Sequence, residues 1–204
     1  GETAEMPGVY ANKDFDCAGF AVGVVDEPKA LGARKVLVGD KLIAVKSSGF
    51  HSNGYSLLRQ VFADDMDNWI DELMIPTHLY APLVLELLAK SVELHAVANI
   101  TGGGMDNIPR VLPQGAGVQL QPWVLPASFL EVKARTKMAW PELLQTLNCG
   151  IGLVLVLPEN QIDSALKIIA QCGLSGFEFG EVVTNDDKNW QLDLDKMEQL
   201  NKRG

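Results

Sequence analysis

Apolar positions along the chain fall into short runs separated by clusters of glycine, proline and small polar residues. Gly19-Phe20-Ala21-Val22-Gly23-Val24-Val25 reads as a buried strand, because it is short, β-branched and bounded by polar residues. A connection carrying Pro28, Gly32 and Gly39 follows, and Leu42-Ile43-Ala44-Val45 predicts a second strand. Tyr55 to Phe62 reads as helical. Tyr80, Leu83, Val84, Leu87 and Leu88 recur at the spacing of one helix face. Leu94 to Ile100 predicts a strand, and a short helix through Ile108 and Leu112 is stopped by Pro113. Between Gln114 and Ala139 the pattern supports only a weak strand near Val118 to Leu120, with Pro122 and Pro126 interrupting the rest. Pro141 suits the first turn of a helix reaching Leu147. Ile151 to Leu157 is a strand. Ile162, Ala165, Leu166 and Ile169 mark a helix with Gly173 at its C-terminal cap. Phe177 to Val183 and Trp190 to Leu194 read as strands joined by the turn cluster Thr184-Asn185-Asp186-Asp187.

Strands and helices alternate, which predicts an α/β or α+β domain built on a mixed sheet. The strand at residues 19–25 stands alone before the connection and needs a neighbour to be stable. A division follows: residues 1–38 as the tail of a preceding domain, and residues 39–204 as the main one. The chain opens on Gly1-Glu2-Thr3 without an initiator Met, which reads as a fragment or processed product.

Charge and cysteine content narrow the function. Twenty-six acidic against 17 basic residues give a formal net charge of -9, and no basic face of the kind nucleic-acid binding needs is visible. The acidic stretches Asp64-Asp65-Met66-Asp67, Asp71-Glu72 and Asp186-Asp187 read as solvated surface. Cys17, Cys149 and Cys172 are odd in number and match no zinc or redox spacing, which fits a reduced, cytoplasmic protein. The longest apolar run, Gly150 to Leu157, is far short of the ~20 residues a bilayer span requires.

Three segments are candidates for chemistry. Ser47-Ser48-Gly49-Phe50-His51-Ser52-Asn53-Gly54 joins a strand to a helix. Its glycines permit unusual backbone angles, its N–H groups suit an anion, and His51 is a possible proton carrier. The alternative is a polar loop whose hydroxyls merely cap the next helix. Thr101-Gly102-Gly103-Gly104 is the second, a costly glycine run placed where a helix N-terminus would face a phosphate; the alternative is a tight turn without a ligand. No Gly-Lys-Ser/Thr follows, so it is not a Walker loop. Arg110 would lie almost two turns into that helix, too far to count on. The third is Gly1-Glu2-Thr3-Ala4-Glu5-Met6-Pro7-Gly8, where Glu2 and Glu5 offer carboxylates to a metal or a donor. His78, His95 and Cys149 read as structural.

Taken together these segments resemble the phosphoribosylformylglycinamidine cyclo-ligase (aminoimidazole ribonucleotide synthetase) family. The resemblance runs through residues 1–8, Ala18-Gly19-Phe20, Ser47-Ser48-Gly49 with His51-Ser52-Asn53-Gly54-Tyr55-Ser56-Leu57, Ile100-Thr101-Gly102-Gly103-Gly104 with Asn107-Ile108-Pro109-Arg110-Val111-Leu112-Pro113, and Asn148-Cys149-Gly150-Ile151-Gly152. The departures are Ile75-Pro76-Thr77, Leu147 where a Phe is common, and Met105-Asp106. The resemblance implies the mixed-sheet, three-layer C-terminal domain of that family, preceded by the last strand of a truncated N-terminal domain through which the enzyme forms a homodimer. It implies ATP and Mg²⁺, gripped mostly by residues upstream, with Glu2, Thr3 and Glu5 as contacts on that side. It implies formylglycinamidine ribonucleotide as substrate, with His51 catalytic and Ser47, Ser48, Gly49, Ser52, Asn53, Gly54 and Thr101 to Gly104 binding substrate or phosphate. The sibling enzymes that make formylglycinamidine ribonucleotide, selenophosphate or thiamine diphosphate remain alternatives, as does a non-catalytic binding or dimerisation module.

Overall fold

The computed structural model describes residues 13, 15, 19, 21–187 and 189–202. In chain order its strands are β1 (Lys41–Lys46), β2 (Ala96–Asn99), β3 (Ala116–Leu120), β4 (Ile151–Leu157), β5 (Gly176–Thr184) and β6 (Trp190–Leu192). Its α-helices are α1 (Tyr55–Val61), α2 (Met66–Leu73), α3 (Ala81–Ala89), α4 (Ala127–Thr136), α5 (Trp140–Thr146), α6 (Ile162–Gln171) and α7 (Leu194–Asn201). The strands form one mixed sheet in the order β2-β4-β1-β5-β3-β6. Every neighbouring pair is antiparallel except β3 with β6.

The two strands with unbroken apolar sequence lie inside this sheet and are buried on both faces, which is why they do not alternate with polar residues. From β1, Leu42 and Ala44 face one layer while Ile43 and Val45 face the other. In β4, Val154 and Val156 share the first layer, and Leu153, Leu155 and Leu157 the second. The first face is covered by Leu58 of α1, Phe129 and Val132 of α4, Leu143 and Leu144 of α5 and Met197 of α7. The second is covered by Leu83 and Leu87 of α3 and by Ala165, Ile168 and Ile169 of α6. Helices on both faces of a mixed sheet make the three layers. Gly173 closes α6 as expected: at φ +75° it donates to Ala170 O, and Leu174 N–H reaches Ile169 O.

The chain divides into two compact units, residues 1–30 and 31–204. In the first, the described residues hold one short 3₁₀ turn, Glu27–Lys29, flanked by an Asp26–Lys29 ion pair of 2.7 Å. The strand expected over residues 19–25 is not formed at the described positions, and Val22 and Val24 are fully exposed. An extended apolar segment becomes a strand only against a partner's backbone, and its own unit offers none among the described residues.

Three helices depart from the sequence reading. Residues 66–73, where the sequence predicts no helix, form α2, with Asp67 and Asp71 of the acidic stretches exposed on it. Asp65 just before it takes a two-pronged bond from the Arg135 guanidinium (2.6 and 2.7 Å), which pulls its carboxyl pKa below the ordinary range. Residues 127–136, where the sequence predicts no element, form α4. The apparent strand Trp190 to Leu194 stops at Leu192, because Asp193 turns the chain and accepts Lys196 N–H at 3.0 Å as the N-cap of α7. Such a cap stabilises a helix by about 1 kcal/mol.

Candidate functional site

The antiparallel order sends the C-terminal ends of β1 and β2 and the N-terminal end of β4 to one edge of the sheet. Lys46 stands opposite Ile151, and Asn99 opposite Leu153. Beyond the ladder, Ser47 N–H donates to Gly150 O and Ile100 N–H to Gly152 O, both at 2.9 Å. The Ser47–Gly54 loop, the Thr101–Gly104 turn and the Asn148-Cys149-Gly150 segment are therefore brought to one place. A Cβ built on Gly102 would lie 3.6 Å from Asn53 Oδ1, which measures how near the first two come.

Asn148 is the bolt of this edge. It is 1% exposed, its Nδ2 donates to Gly49 O at 3.0 Å, and its Oδ1 accepts Gly150 N–H at 2.9 Å. The serines of the first loop are consumed in shaping it. Ser47 Oγ donates to Gly49 O (2.8 Å), Ser48 Oγ donates to Pro76 O (2.7 Å), and Ser52 Oγ shares a hydrogen bond with Thr77 Oγ1 (3.1 Å). Gly54, in the left-handed region, precedes the first turn of α1. The Asn53 side-chain amide has no hydrogen-bond partner among the described residues.

His51 is placed differently from a surface proton carrier. Its backbone is left-handed (φ +59°), its side chain is 3% exposed, and its ring packs 5.9 Å from that of Tyr80. A side chain on Gly152 would run into the Tyr80 hydroxyl and come within 2.8 Å of His51 Cε1, so β4 approaches this ring only because residue 152 has none. Ser48 N–H donates to His51 Nε2 at 3.2 Å, which puts the proton of the neutral ring on Nδ1. Burial lowers the pKa of His51 to about 4, and the neighbouring His78 acts in the same direction. The imidazole is neutral at pH 7 and a weak proton acceptor. Tyr80, also buried, donates to Lys46 O at 3.0 Å and has its pKa raised by burial.

The second segment differs from the sequence reading. No α-helix runs through Ile108 and Leu112; two 3₁₀ turns, Gly104–Asn107 and Pro109–Val111, take its place. Pro109 supplies no N–H to an α-helical ladder. Asn107, 5% exposed, organises the turn instead: Nδ2 donates to Gly104 O (2.7 Å) and Gly102 O (3.4 Å), and Oδ1 accepts from the Thr101 hydroxyl (3.2 Å). The helix-dipole argument for this turn therefore falls. What remains is local. The Gly102 and Gly103 N–H groups have no hydrogen-bond partner among the described residues.

The glycines divide the labour. A side chain on Gly104 would collide with the Leu144 carbonyl oxygen and lie 2.7 Å from that of Leu147, so this glycine serves packing against the end of α5. At Gly103 (φ +99°) a Cβ would make ordinary contacts, with Arg110 Nη2 and Asn107 Nδ2 each at 3.5 Å. Arg110, discounted on a helical geometry, is folded back onto the glycine turn. It reaches there along the two 3₁₀ turns, and Pro109, which cannot donate to an α-helical ladder, is the visible signal of that path.

Cys149 is buried, its Sγ faces Leu143 O at 3.6 Å, and burial raises its pKa, so the thiol stays protonated. His95 is held between Asp40 (2.6 Å) and Glu93 (3.3 Å), away from this edge of the sheet. Among the described residues no three His, Cys, Asp or Glu are grouped to hold a metal ion. Glu2, Thr3 and Glu5 lie outside the described residues. Among the described residues no helix is long and apolar enough to cross a membrane.

Fold and edge together define a three-layer, mixed-sheet α/β domain with a polar, glycine-bearing loop cluster at one end of its sheet. Residues 38–193 match the family described as AIR synthase related protein, C-terminal domain, and the chain belongs to that family. Curated relatives include the phosphoribosylformylglycinamidine cyclo-ligase of Geobacter metallireducens, 42% identical over 197 residues that make up 89% of this chain and 56% of that protein. That of Lawsonia intracellularis is 40% identical over 196 residues, with the same two shares. The chain thus spans little more than half the length of these relatives. Among solved structures, thiamine-monophosphate kinase from Stenotrophomonas maltophilia K279a superposes with a TM-score of 0.55 at 14% identity, over 83% of this chain and 54% of that one. The E. coli hydrogenase maturation protein HypE gives 0.53 at 19%, over 80% and 48%. These two likenesses show a shared fold.

Proposed function

We propose that this chain is the C-terminal part of an ATP-dependent cyclo-ligase that converts formylglycinamidine ribonucleotide to aminoimidazole ribonucleotide in purine biosynthesis. One observation carries the reading: three of the segments that resemble the family, at residues 47–54, 100–104 and 148–152, converge on one sheet edge. There they leave two backbone N–H groups and the Asn53 amide unpartnered. In the proposed reaction ATP transfers its terminal phosphoryl group to the formamide oxygen and leaves as ADP. The amidine nitrogen then attacks that carbon, the C–N bond forms, the C–O bond breaks, and phosphate departs as the nitrogen loses a proton.

The residues of this chain would bind and orient rather than shuttle protons. Gly102 and Gly103 present N–H groups to a phosphoryl oxygen. Ser47, Ser48, Ser52 and Asn148 hold the first loop so that Asn53 faces the turn. His51, neutral and bonded to Ser48 N–H, fixes the loop's path and acts as a positioning residue. The ATP and Mg²⁺ contacts, with Glu2, Thr3 and Glu5 on that side, the homodimer contact and the cytoplasmic setting belong to the same proposal. So does the division at residues 38 and 39.

The test is ADP release dependent on formylglycinamidine ribonucleotide. The reading expects turnover by the complete gene product and none by residues 1–204 alone. Turnover by residues 1–204 alone would contradict it, as would a complete gene product active on thiamine monophosphate or selenide instead.

A further inference from the structure

We propose that Arg110 is the guanidinium that grips a phosphate monoester at the Gly102–Gly103 turn, opposite no acidic partner of its own. The inference rests on the reading of that turn as an anion site, and adds the charge that the site otherwise lacks. Arg59 donates to Tyr55 O, Arg135 is bonded to Asp65 and Glu131, and Arg34 is also engaged. Arg110 alone of the described arginines has no hydrogen bond, ion pair or ring contact among the described residues. This holds in a chain with 26 acidic residues. The acid beside it in the sequence, Asp106, is committed to Trp190, whose Nε1–H it accepts at 2.6 Å.

Position adds to this. Arg110 Nη2 lies 3.5 Å from where a Cβ on Gly103 would stand, so a side chain there would fill the space the guanidinium borders. The unpartnered N–H groups of Gly102 and Gly103 are consecutive in this turn, and Asn53 Oδ1 of the other loop lies 3.6 Å from where a Cβ on Gly102 would stand. A planar fork with parallel N–H donors beside two backbone N–H groups matches the several acceptor oxygens of a phosphate dianion. A carboxylate has two oxygens and would leave donors unused. The ligand is thus a phosphate monoester. A sugar phosphate and the terminal phosphate of a nucleotide share that chemistry, and the sugar phosphate is the one committed to here.

The experiment is a ¹⁵N-resolved NMR titration of residues 1–204 with ribose 5-phosphate, and separately with ATP, for the native chain, Arg110→Gln and Arg110→Lys. Ribose 5-phosphate should shift the Gly102 and Gly103 amides. Arg110→Gln should weaken its affinity about tenfold or more, the scale of a lost charge-assisted hydrogen bond, while leaving the melting temperature unchanged. Arg110→Lys should recover part of the affinity, since it keeps the charge without the fork. A larger loss for ATP than for ribose 5-phosphate would keep the monoester chemistry and assign it to the nucleotide. Unchanged affinity in Arg110→Gln, with the glycine amides still shifting, would overturn the role of Arg110 and leave the turn as an anion site. Absence of any shift at Gly102 and Gly103 in the native chain would overturn both, whatever turnover the complete gene product shows.

Discussion

Acidifying the protein tests the placement of His51 directly. The side chain is 3% exposed and its pKa is lowered from 6.5 to about 4, chiefly by burial. In the unfolded chain the same imidazole titrates near 6.5. Between these two values the unfolded state binds a proton that the folded state refuses, so stability falls as pH drops through that window and is fully present above it. A difference of about 2.5 pH units at 1.36 kcal/mol each amounts to about 3.4 kcal/mol in full, of which about 2.5 kcal/mol is lost by pH 4.5. The perturbation is His51→Asn, since asparagine tolerates the left-handed backbone found there. Urea unfolding at pH 7.5, 6.5, 5.5 and 4.5 should show the native chain losing about 2.5 kcal/mol more than the variant across the range. The ring protons of His51 should titrate near pH 4 in the same chain. Parallel pH profiles for the two proteins, or a His51 midpoint at or above 6, would refute the buried, neutral imidazole and restore it as a candidate proton carrier.

Two further substitutions probe the sheet edge. Gly104→Ala should cost about 1–3 kcal/mol by driving a methyl group into the carbonyls of Leu144 and Leu147, whereas Gly102→Ala, whose methyl would make only an ordinary contact with Asn53, should change stability by less than about 0.5 kcal/mol; denaturant midpoints compare them. Asn148→Ala removes the acceptor for Gly150 N–H, leaving that buried group unpaired, while Gly49 O loses one of two donors and keeps Ser47 Oγ; the change should cost about 1–3 kcal/mol with faster amide exchange in both strands' end loops.

The sequence carried the sheet better than the helices. Leu42 to Val45 and Ile151 to Leu157 are apolar at every position because both faces of β1 and β4 are covered, and such runs are hard to mistake once bounded by polar loops. In α3 the stripe Tyr80, Leu83 and Leu87 is buried as its spacing requires, but Leu88 is 43% exposed. The helices missed are those whose periodic signal is brief. α4 buries Phe129 and Val132 directly after Pro126, which reads as a breaker although proline commonly precedes a first turn. α7 buries only Met197, and its start was hidden in an apparent strand. At the candidate site the loops themselves were legible from glycine and small polar residues. The roles within them were not, because they depend on contacts distant in sequence. Asn148 reaches Gly49, Gly152 admits His51, and Arg110 returns to Gly103 along a 3₁₀ path where the sequence suggests a helix.

The central claim is that this sheet edge receives the phosphate-bearing substrate of a cyclo-ligase. The measurement that tests it most directly is the amide footprint of formylglycinamidine ribonucleotide on residues 1–204. Shifts concentrated at Ser47 to Gly54, at Gly102 and Gly103, and at the Arg110 side chain are the predicted result. Shifts confined elsewhere, such as the groove of about 440 Å³ bordered by Lys46, Trp123, Val124 and Phe177, would contradict the account, as would their absence.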